Sequence, residues 1–267
     1  MKPGQSGFVL LIVLWTLVIL ALLGTQLGVG ARAEWRVAED TRAAALLESA
    51  ADGGIGAAIF HILGRAWAAD SLPRESRFGA IRLTTTIANE AGRINPNTSA
   101  YPLMVALLHV VSHDQRRAGE LANAMLLWRT RPEAILAQYR GAGLPYGPSG
   151  AAFQSVEELG LVLGMTPELL RALRPHLSLF QQGDVDRRFA DSVVRQALDE
   201  AGPAAAPLAA LNVRLDDLLA RITVLARGAG GRSFVRAAEV RFAAHPDAGA
   251  PLYTILSWEN EYMGENE

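Results

Sequence analysis

Residues 6–30 read SGFVLLIVLWTLVILALLGTQLGVG, a run without one charged side chain. From Phe8 to Gly30, roughly 23 residues rising about 1.5 Å each make a helix of about 34 Å, against a hydrocarbon layer of about 30 Å. A single membrane span is therefore expected over 8–30. Phe8 to Leu23 is almost entirely Leu, Ile and Val with Trp15 and Thr16, and the β-branched residues fit because backbone hydrogen bonds in lipid must close within the helix. A secretory signal peptide would place a small-residue site after a shorter apolar stretch. Here Ala31-Arg32-Ala33 carries an arginine at its centre, and the small pair Ser6-Gly7 stands before the run instead. Charge leaves the orientation open, with Lys2 on one side and Arg32, Arg36 and Arg42 on the other.

The rest of the composition is that of a folded chain. Half of the 267 residues are hydrophobic, and the formal net charge of -2 gives no global basic bias toward nucleic acid. Cysteine is absent, which excludes a disulfide framework and thiolate chemistry.

Beyond the span, Ala31 to about Ala69 keeps a helical rhythm, with Leu47, Ala51, Ile55, Ile59, Ile62 and Ala66 at spacings of three and four. One face of this helix should lie on a sheet. Arg32, Glu34, Arg36, Glu39, Asp40 and Arg42 cluster next to the span, where a solvated face and a packing surface both fit. Gly53, Gly54 and Gly56 each weaken a helix by roughly 1 kcal/mol relative to Ala, and point to a bend or to close packing. Asp70-Ser71-Leu72-Pro73 reads as a stop, and Phe78 to Asn89 alternates as a strand through Ile81, Leu83, Thr85 and Ile87. Three further strand-like runs, Arg221 to Arg227, Arg232 to Phe242 and Leu252 to Trp258, close the chain. Gly228-Ala229-Gly230-Gly231 joins the first two as a hairpin; a phosphate loop would open onto a helix. Between the sheet segments, residues 91–219 read as a mainly helical insertion, with helices at Tyr101 to Val111, Ala118 to Arg129, Ser155 to Leu163 and Pro167 to Leu173. Asn97 or Thr98 would cap the first, Ser155 and Glu158 form a capping box, and Thr166 caps the helix starting at Pro167.

Catalytic constellations are not legible: there is no nucleophile elbow, P-loop or zinc-protease motif. His109 and His113 stand four apart on one helix face, but Val110 occupies the place of the base that a zinc protease needs. His61, His176 and His245 are isolated. Asp184, Asp186 and Asp191 have a loose metal-like spacing that also suits a solvated helix start. Gly141-Ala142-Gly143 and Leu163-Gly164-Met165 have the look of helix-hairpin-helix turns. With Arg116, Arg117, Arg129, Arg131, Arg140, Arg171 and Arg174 nearby, they keep open a competence-type, membrane-anchored DNA-binding protein.

The order of the pieces resembles a known family. Ser6-Gly7-Phe8 before the apolar run is similar to the type III signal of prepilins and pseudopilins. Glu90-Ala91-Gly92-Arg93-Ile94-Asn95-Pro96-Asn97-Thr98, Leu144-Pro145-Tyr146-Gly147-Pro148, Phe153 to Leu159, Leu163 to Pro167 and the closing Tyr253 to Trp258 resemble the K-type minor pseudopilins of type II secretion systems. That resemblance implies an α+β, pilin-like fold: a long N-terminal helix on an antiparallel sheet, with a large helical domain inserted. The expected division is a leader over 1–7, the span over 8–30, a periplasmic helix and first strand over 31–90, the insertion over 91–219, and closing strands over 220–267. It further implies prepilin peptidase cleavage between Gly7 and Phe8, N-methylation of Phe8, and a bacterial inner-membrane anchor with the C-terminal domain in the periplasm. The implied role is non-enzymatic: capping the pseudopilus tip, initiating its assembly and assisting export. The implied partners are I-type and J-type minor pseudopilins, the major pseudopilin and the inner-membrane assembly platform, and nucleic acid is not among them. Most pilin-like proteins carry glutamate at the fifth mature position; here it is Ile12, as in the K type. The family's calcium is implied as an option without ligands that can be placed. Leu127-Trp128-Arg129-Thr130-Arg131 departs from the family, which often carries acidic residues around that tryptophan.

Overall fold

Helix α1 spans Ser6–Leu63, and the apolar start of the chain and the amphipathic stretch after it are one continuous rod. The computed structural model describes residues 6–205, 217–246 and 249–260, and in α1 the side chains of 6, 7, 9 and 22–36 lie outside that description. Most of the expected leader, part of the expected span, the charges Arg32 to Arg36, the return from the insertion and the segment 261–267 thus fall outside the described residues. The rod ends at Leu63, earlier than the periodicity suggested. Gly64 and Ala66 donate their amides back to Phe60 and His61, and Arg65 takes a left-handed backbone, so Ala66 lies beyond the helix.

A five-stranded antiparallel sheet follows, its strands in the order β1-β2-β3-β4-β5: β1 Arg74–Phe78, β2 Ile81–Asn89, β3 Leu218–Arg227, β4 Ser233–Phe242 and β5 Tyr253–Asn260. The strand expected from Phe78 to Asn89 is in fact the second arm of a hairpin, with Phe78 paired to Ile81 across Gly79-Ala80. Alternation sends Leu83, Ile87, Ile222, Val224, Ala238 and Val240 to one side, where they bury Leu47, Ala51, Ile55 and Ile59 of α1. Gly54 is where the two layers come closest: a Cβ there would stand 2.8 Å from Val224 Cγ1. Gly53 and Gly56 meet nothing. The β3–β4 connection is the expected hairpin, closed by the Gly228 amide on the Arg232 carbonyl, with Gly230 and Gly231 at positive φ.

The insertion enters through a 3-10 turn, Glu90–Gly92, and has its own core. Its helices are α2 Tyr101–Ser112, α3 Gln115–Thr130, α4 Glu133–Gly141, α5 Pro167–Leu173 and α6 Ser192–Ala201. Leu103, Leu107 and Leu108 of α2, Leu121 and Trp128 of α3, Leu173 of α5 and Val194 of α6 belong to one buried cluster, separate from the α1–sheet cluster. Helices α4 and α6 were not foreseen. The helix expected over Ser155 to Leu163 is only a 3-10 segment, Glu157–Leu161.

Candidate functional site

The expected processing site and the expected span come first in the chain. Gly7 and Phe8 lie in the first turn of α1, with Phe8 68% exposed. Leu10 through Leu20 expose their apolar side chains on every side, including Trp15, and Thr16 returns its hydroxyl to the Val13 carbonyl at 2.9 Å. Such a surface is stable where the solvent is itself apolar. Among the described residues, Val37–Leu63 is the stretch that passes a length and hydropathy test for crossing a membrane. It is the part of α1 that lies on the sheet, and its apolar face is already used there.

One arginine locks α1 to the sheet. Arg236 on β4, 5% exposed, directs Nη2 to Glu48 and Nε to Asp52, both at 2.6 Å, and also reaches Asn260 on β5. Its guanidinium sits 5.0 Å from the Phe234 ring and 5.6 Å from the Trp258 ring. A planar fork with five donors satisfies this many partners where a lysine would not. This contact was not legible in the sequence, because Glu48 and Asp52 look like an ordinary solvated helix edge.

The junction residues do more than turn a corner. Asn95 donates to the carbonyls of Leu179 and Gln181 and accepts from the Asn97 amide. Asn97 or Thr98 was expected to cap α2, but Ala100 holds the cap position without a side-chain bond. The Asn97 amide group instead clamps both the N-H and the carbonyl of Phe153, fifty-six residues on. Gly92 packs against the backbone of Phe189, which a Cβ would approach to 2.3 Å. The capping box at Ser155 is half formed: the Glu158 amide donates to Ser155 Oγ, while the Glu158 carboxylate accepts from the Gln154 amide and from Trp128 Nε1. The acid beside the tryptophan is thus supplied from a distant segment. Thr166 caps α5 as expected.

A cleft of about 470 Å³ lies between the insertion and the sheet face turned away from α1. Arg221 and Glu239, paired across β3 and β4, form its floor, and Glu90, Arg93, Arg174, Ser178 and Glu259 are among its walls. Glu239 is 2% exposed and Glu90 is 1% exposed. Arg221 reaches Glu239 Oε1 and lies 3.8 Å from Glu259, while Glu239 Oε2 finds no hydrogen-bond donor among the described residues. Arg93 Nη1 is 3.1 Å from Glu90 Oε1 but outside hydrogen-bond geometry, so that contact is coulombic alone. Burial pushes the Glu90 carboxyl above the ordinary carboxylate range; Arg93, the Ser178 hydroxyl and Arg221 oppose this, and the Glu239 charge adds to it.

The remaining candidates separate. His109 pairs with Glu200 at 2.7 Å, whereas His113 is the left-handed residue that ends α2, so the two do not share a helix face. His61 stacks on Trp67, and His176 pairs with Asp191. Asp191 caps α6, the helix start its spacing allowed, while Asp186 turns to Arg188. Among the described residues no three His, Cys, Asp or Glu side chains gather in one place. Gly141 ends α4, and the chain runs on without a helix until the 3-10 segment Glu157–Leu161, so no helical hairpin forms at Gly141–Gly143. Of the arginines there, Arg116 pairs with Glu120, Arg174 with Glu157, and Arg129 is held by the Asn97 carbonyl.

The comparisons fall on these same elements. Residues 81–182 match the family model for protein K of the type II secretion system (T2SS). Over those residues the chain is similar to that family. The matched stretch begins at β2, takes in Glu90–Gly92, α2 to α5 and the Asn95 and Asn97 clamps, and ends beside Gln181. A chain in the crystal structure of the GspK-GspI-GspJ complex from the enterotoxigenic Escherichia coli type 2 secretion system superposes with a TM-score of 0.52 at 13% identity, covering 72% of this chain and 84% of that one. A search of curated protein sequences finds no significant match. The fold of this chain is α+β and pilin-like, with an apolar N-terminal helix whose later part lies on an antiparallel sheet.

Proposed function

We propose that this protein is a K-type minor pseudopilin that caps the tip of the type II secretion pseudopilus, initiates its assembly and thereby assists export. What carries the reading is the family match over β2 and much of the insertion, joined to a long helix that exposes apolar side chains on every side between Leu10 and Leu20. In this reading, residues 8–30 are stored in the inner membrane and the remainder faces the periplasm. Prepilin peptidase cuts between Gly7 and Phe8 and methylates Phe8. The helix is then drawn out of the bilayer as it packs against I-type and J-type minor pseudopilins, the major pseudopilin following below, on the inner-membrane platform. Ile12 in place of a glutamate suits a subunit with no neighbour above it, since an intramembrane carboxylate costs on the order of a few kcal/mol unless it is paired. The insertion, with a core of its own, widens the top of the filament beyond what another subunit could stack on. The role needs neither catalysis nor a cofactor.

The test is co-extraction of the full chain with tagged I-type and J-type pseudopilins from membranes. A stable three-protein complex is expected, with little affinity for DNA at low salt. Strong salt-dependent DNA binding and no association with pseudopilins would instead establish the competence-type alternative.

A further inference from the structure

Two hairpin tips of the sheet carry the same charge pattern. One reads Arg77-Phe78-Gly79-Ala80-Ile81-Arg82 and the other Arg227-Gly228-Ala229-Gly230-Gly231-Arg232, each a pair of arginines around four uncharged residues. Strand pairing sets three of these arginines in one row, with Arg77 opposite Arg82 and Arg82 opposite Arg227. Leu83 and Ala226, next to them in the strands, belong to the core under α1, so by alternation the row is on the other face of the sheet. All three are exposed. The neighbouring Arg74 and Arg232 have carboxylates, Asp70 and Asp40, whereas among the described residues no carboxylate pairs with Arg77, Arg82 or Arg227. Like charges directly opposite one another across strands repel, and a bound anion removes that cost.

The course of α1 decides which anion lies within reach. Strand β4 and α1 run the same way: Arg232, just before β4, reaches Asp40, and Arg236 reaches Glu48 and Asp52. Leu47 lies under Gly228, 3.1 Å from where a Cβ would stand. Both tips are therefore at the end of the sheet nearest residues 8–30. Ten residues of helix from Gly30 to Asp40 rise about 15 Å, and the headgroup layer takes up about 5–7 Å of that. The gap left is close to the Debye length of about 8 Å, and an ordinary helix tilt of about 20° toward the sheet narrows it further.

With residues 8–30 as the membrane span, on which this rests, we propose that Arg77, Arg82 and Arg227 form a landing surface for anionic phospholipid headgroups, holding the head of the stored subunit on the bilayer until α1 is drawn out. Adjacent strands are about 4.8 Å apart, so the row presents its three charges within about 10 Å. Guanidinium forks take phosphate oxygens two at a time. The anchor itself brings this surface to the row, whereas an acidic protein would have to be recruited.

The experiment places the full chain in nanodiscs of phosphatidylcholine, with or without about one-third phosphatidylglycerol. Because the chain has no cysteine, a donor fluorophore at Ala80→Cys reports proximity to acceptor-labelled headgroups by energy transfer. Wild type should transfer more with phosphatidylglycerol than without, and lose the excess at about 0.5 M salt, where the Debye length shrinks to about 4 Å. The combined Arg77→Gln, Arg82→Gln and Arg227→Gln variant should enter both discs and show the phosphatidylcholine level in each, with a melting midpoint no lower than that of wild type. Arg82→Gln alone, which removes the middle charge, should lose part of the excess. Equal transfer from wild type in both discs, or an undiminished response in the combined variant, would overturn the proposal. So would an unchanged lipid response joined to loss of co-extraction with the I-type and J-type proteins, because the row would then serve a protein partner. A chain that does not enter the discs at all fails at the earlier step, and the membrane-span reading falls with it.

Discussion

At the scale of single residues, this structure depends on a few positions that look unremarkable in the sequence. Gly92 is one of them. Its hydrogen stands where a Cβ would press to 2.3 Å of the Phe189 backbone, and backbone cannot yield as a flexible side chain can. Gly92→Ala should therefore cost about 3 kcal/mol or more in denaturant unfolding, at the upper end of overpacking effects. Asn97 makes two side-chain bonds to the Phe153 backbone, and its removal leaves a part-buried N-H and carbonyl without partners. A loss of about 2–3 kcal/mol is expected for Asn97→Ala by the same measurement. Arg236→Ala should cost about 2–4 kcal/mol, because a large hole opens beside Phe234 and Trp258. Arg236→Met fills the hole and leaves Glu48 and Asp52 with access to water, so it should retain most of the stability. The Asn95 and Asn97 motif was legible as a structural corner, yet its long-range partners were not, because no local spacing shows which of several polar groups a buried amide will find.

Among the secondary-structure elements, what could be read followed the strength of the periodicity. Helix α2 and strands β3 and β4 carry dense apolar patterns and were found within a few residues of their ends. Strand β1, Arg-Glu-Ser-Arg-Phe, is an edge strand that is almost wholly exposed, so it shows no alternation; its one signal was the two-residue turn Gly79-Ala80. Helix α6 shows a cap and an apolar stripe, Asp191 followed by Val194, Ala197 and Leu198, and the aspartate spacing suited a helix start, but its stripe is too short to mark the helix's extent. Helix α4 buries only Ile135 and Tyr139, too sparse a stripe to stand out. The three glycines of α1 were read together as sites of bending or close packing, and the structure separates them. Gly54→Ala should be destabilising by about 1 kcal/mol or more, because Val224 is β-branched on a central strand and cannot step aside. Gly53→Ala and Gly56→Ala meet open space and should each stabilise by up to about 1 kcal/mol through helix propensity. Thermal midpoints of the three variants, compared side by side, check the signs.

For the molecule as a whole, two cores imply two separable units. The α1–sheet cluster contains no residue of the insertion, and Asn89 on β2 pairs with Ala220 on β3, so the chain leaves and rejoins the sheet at adjacent points. Replacing residues 91–216 with a short glycine-containing loop should therefore leave a cooperatively folding unit, seen by circular dichroism and a single unfolding transition. In cells the same deletion should leave processing intact while secretion falls, whereas Gly7→Ala should block processing and strand the chain in the membrane. All of this depends on what happens to the first eight residues. Mass spectrometry of the N-terminal peptide, from protein made alongside an active prepilin peptidase, reads that directly: the account requires a chain beginning at N-methylated Phe8, and an intact Met1, or a new terminus beyond residue 30, would contradict it.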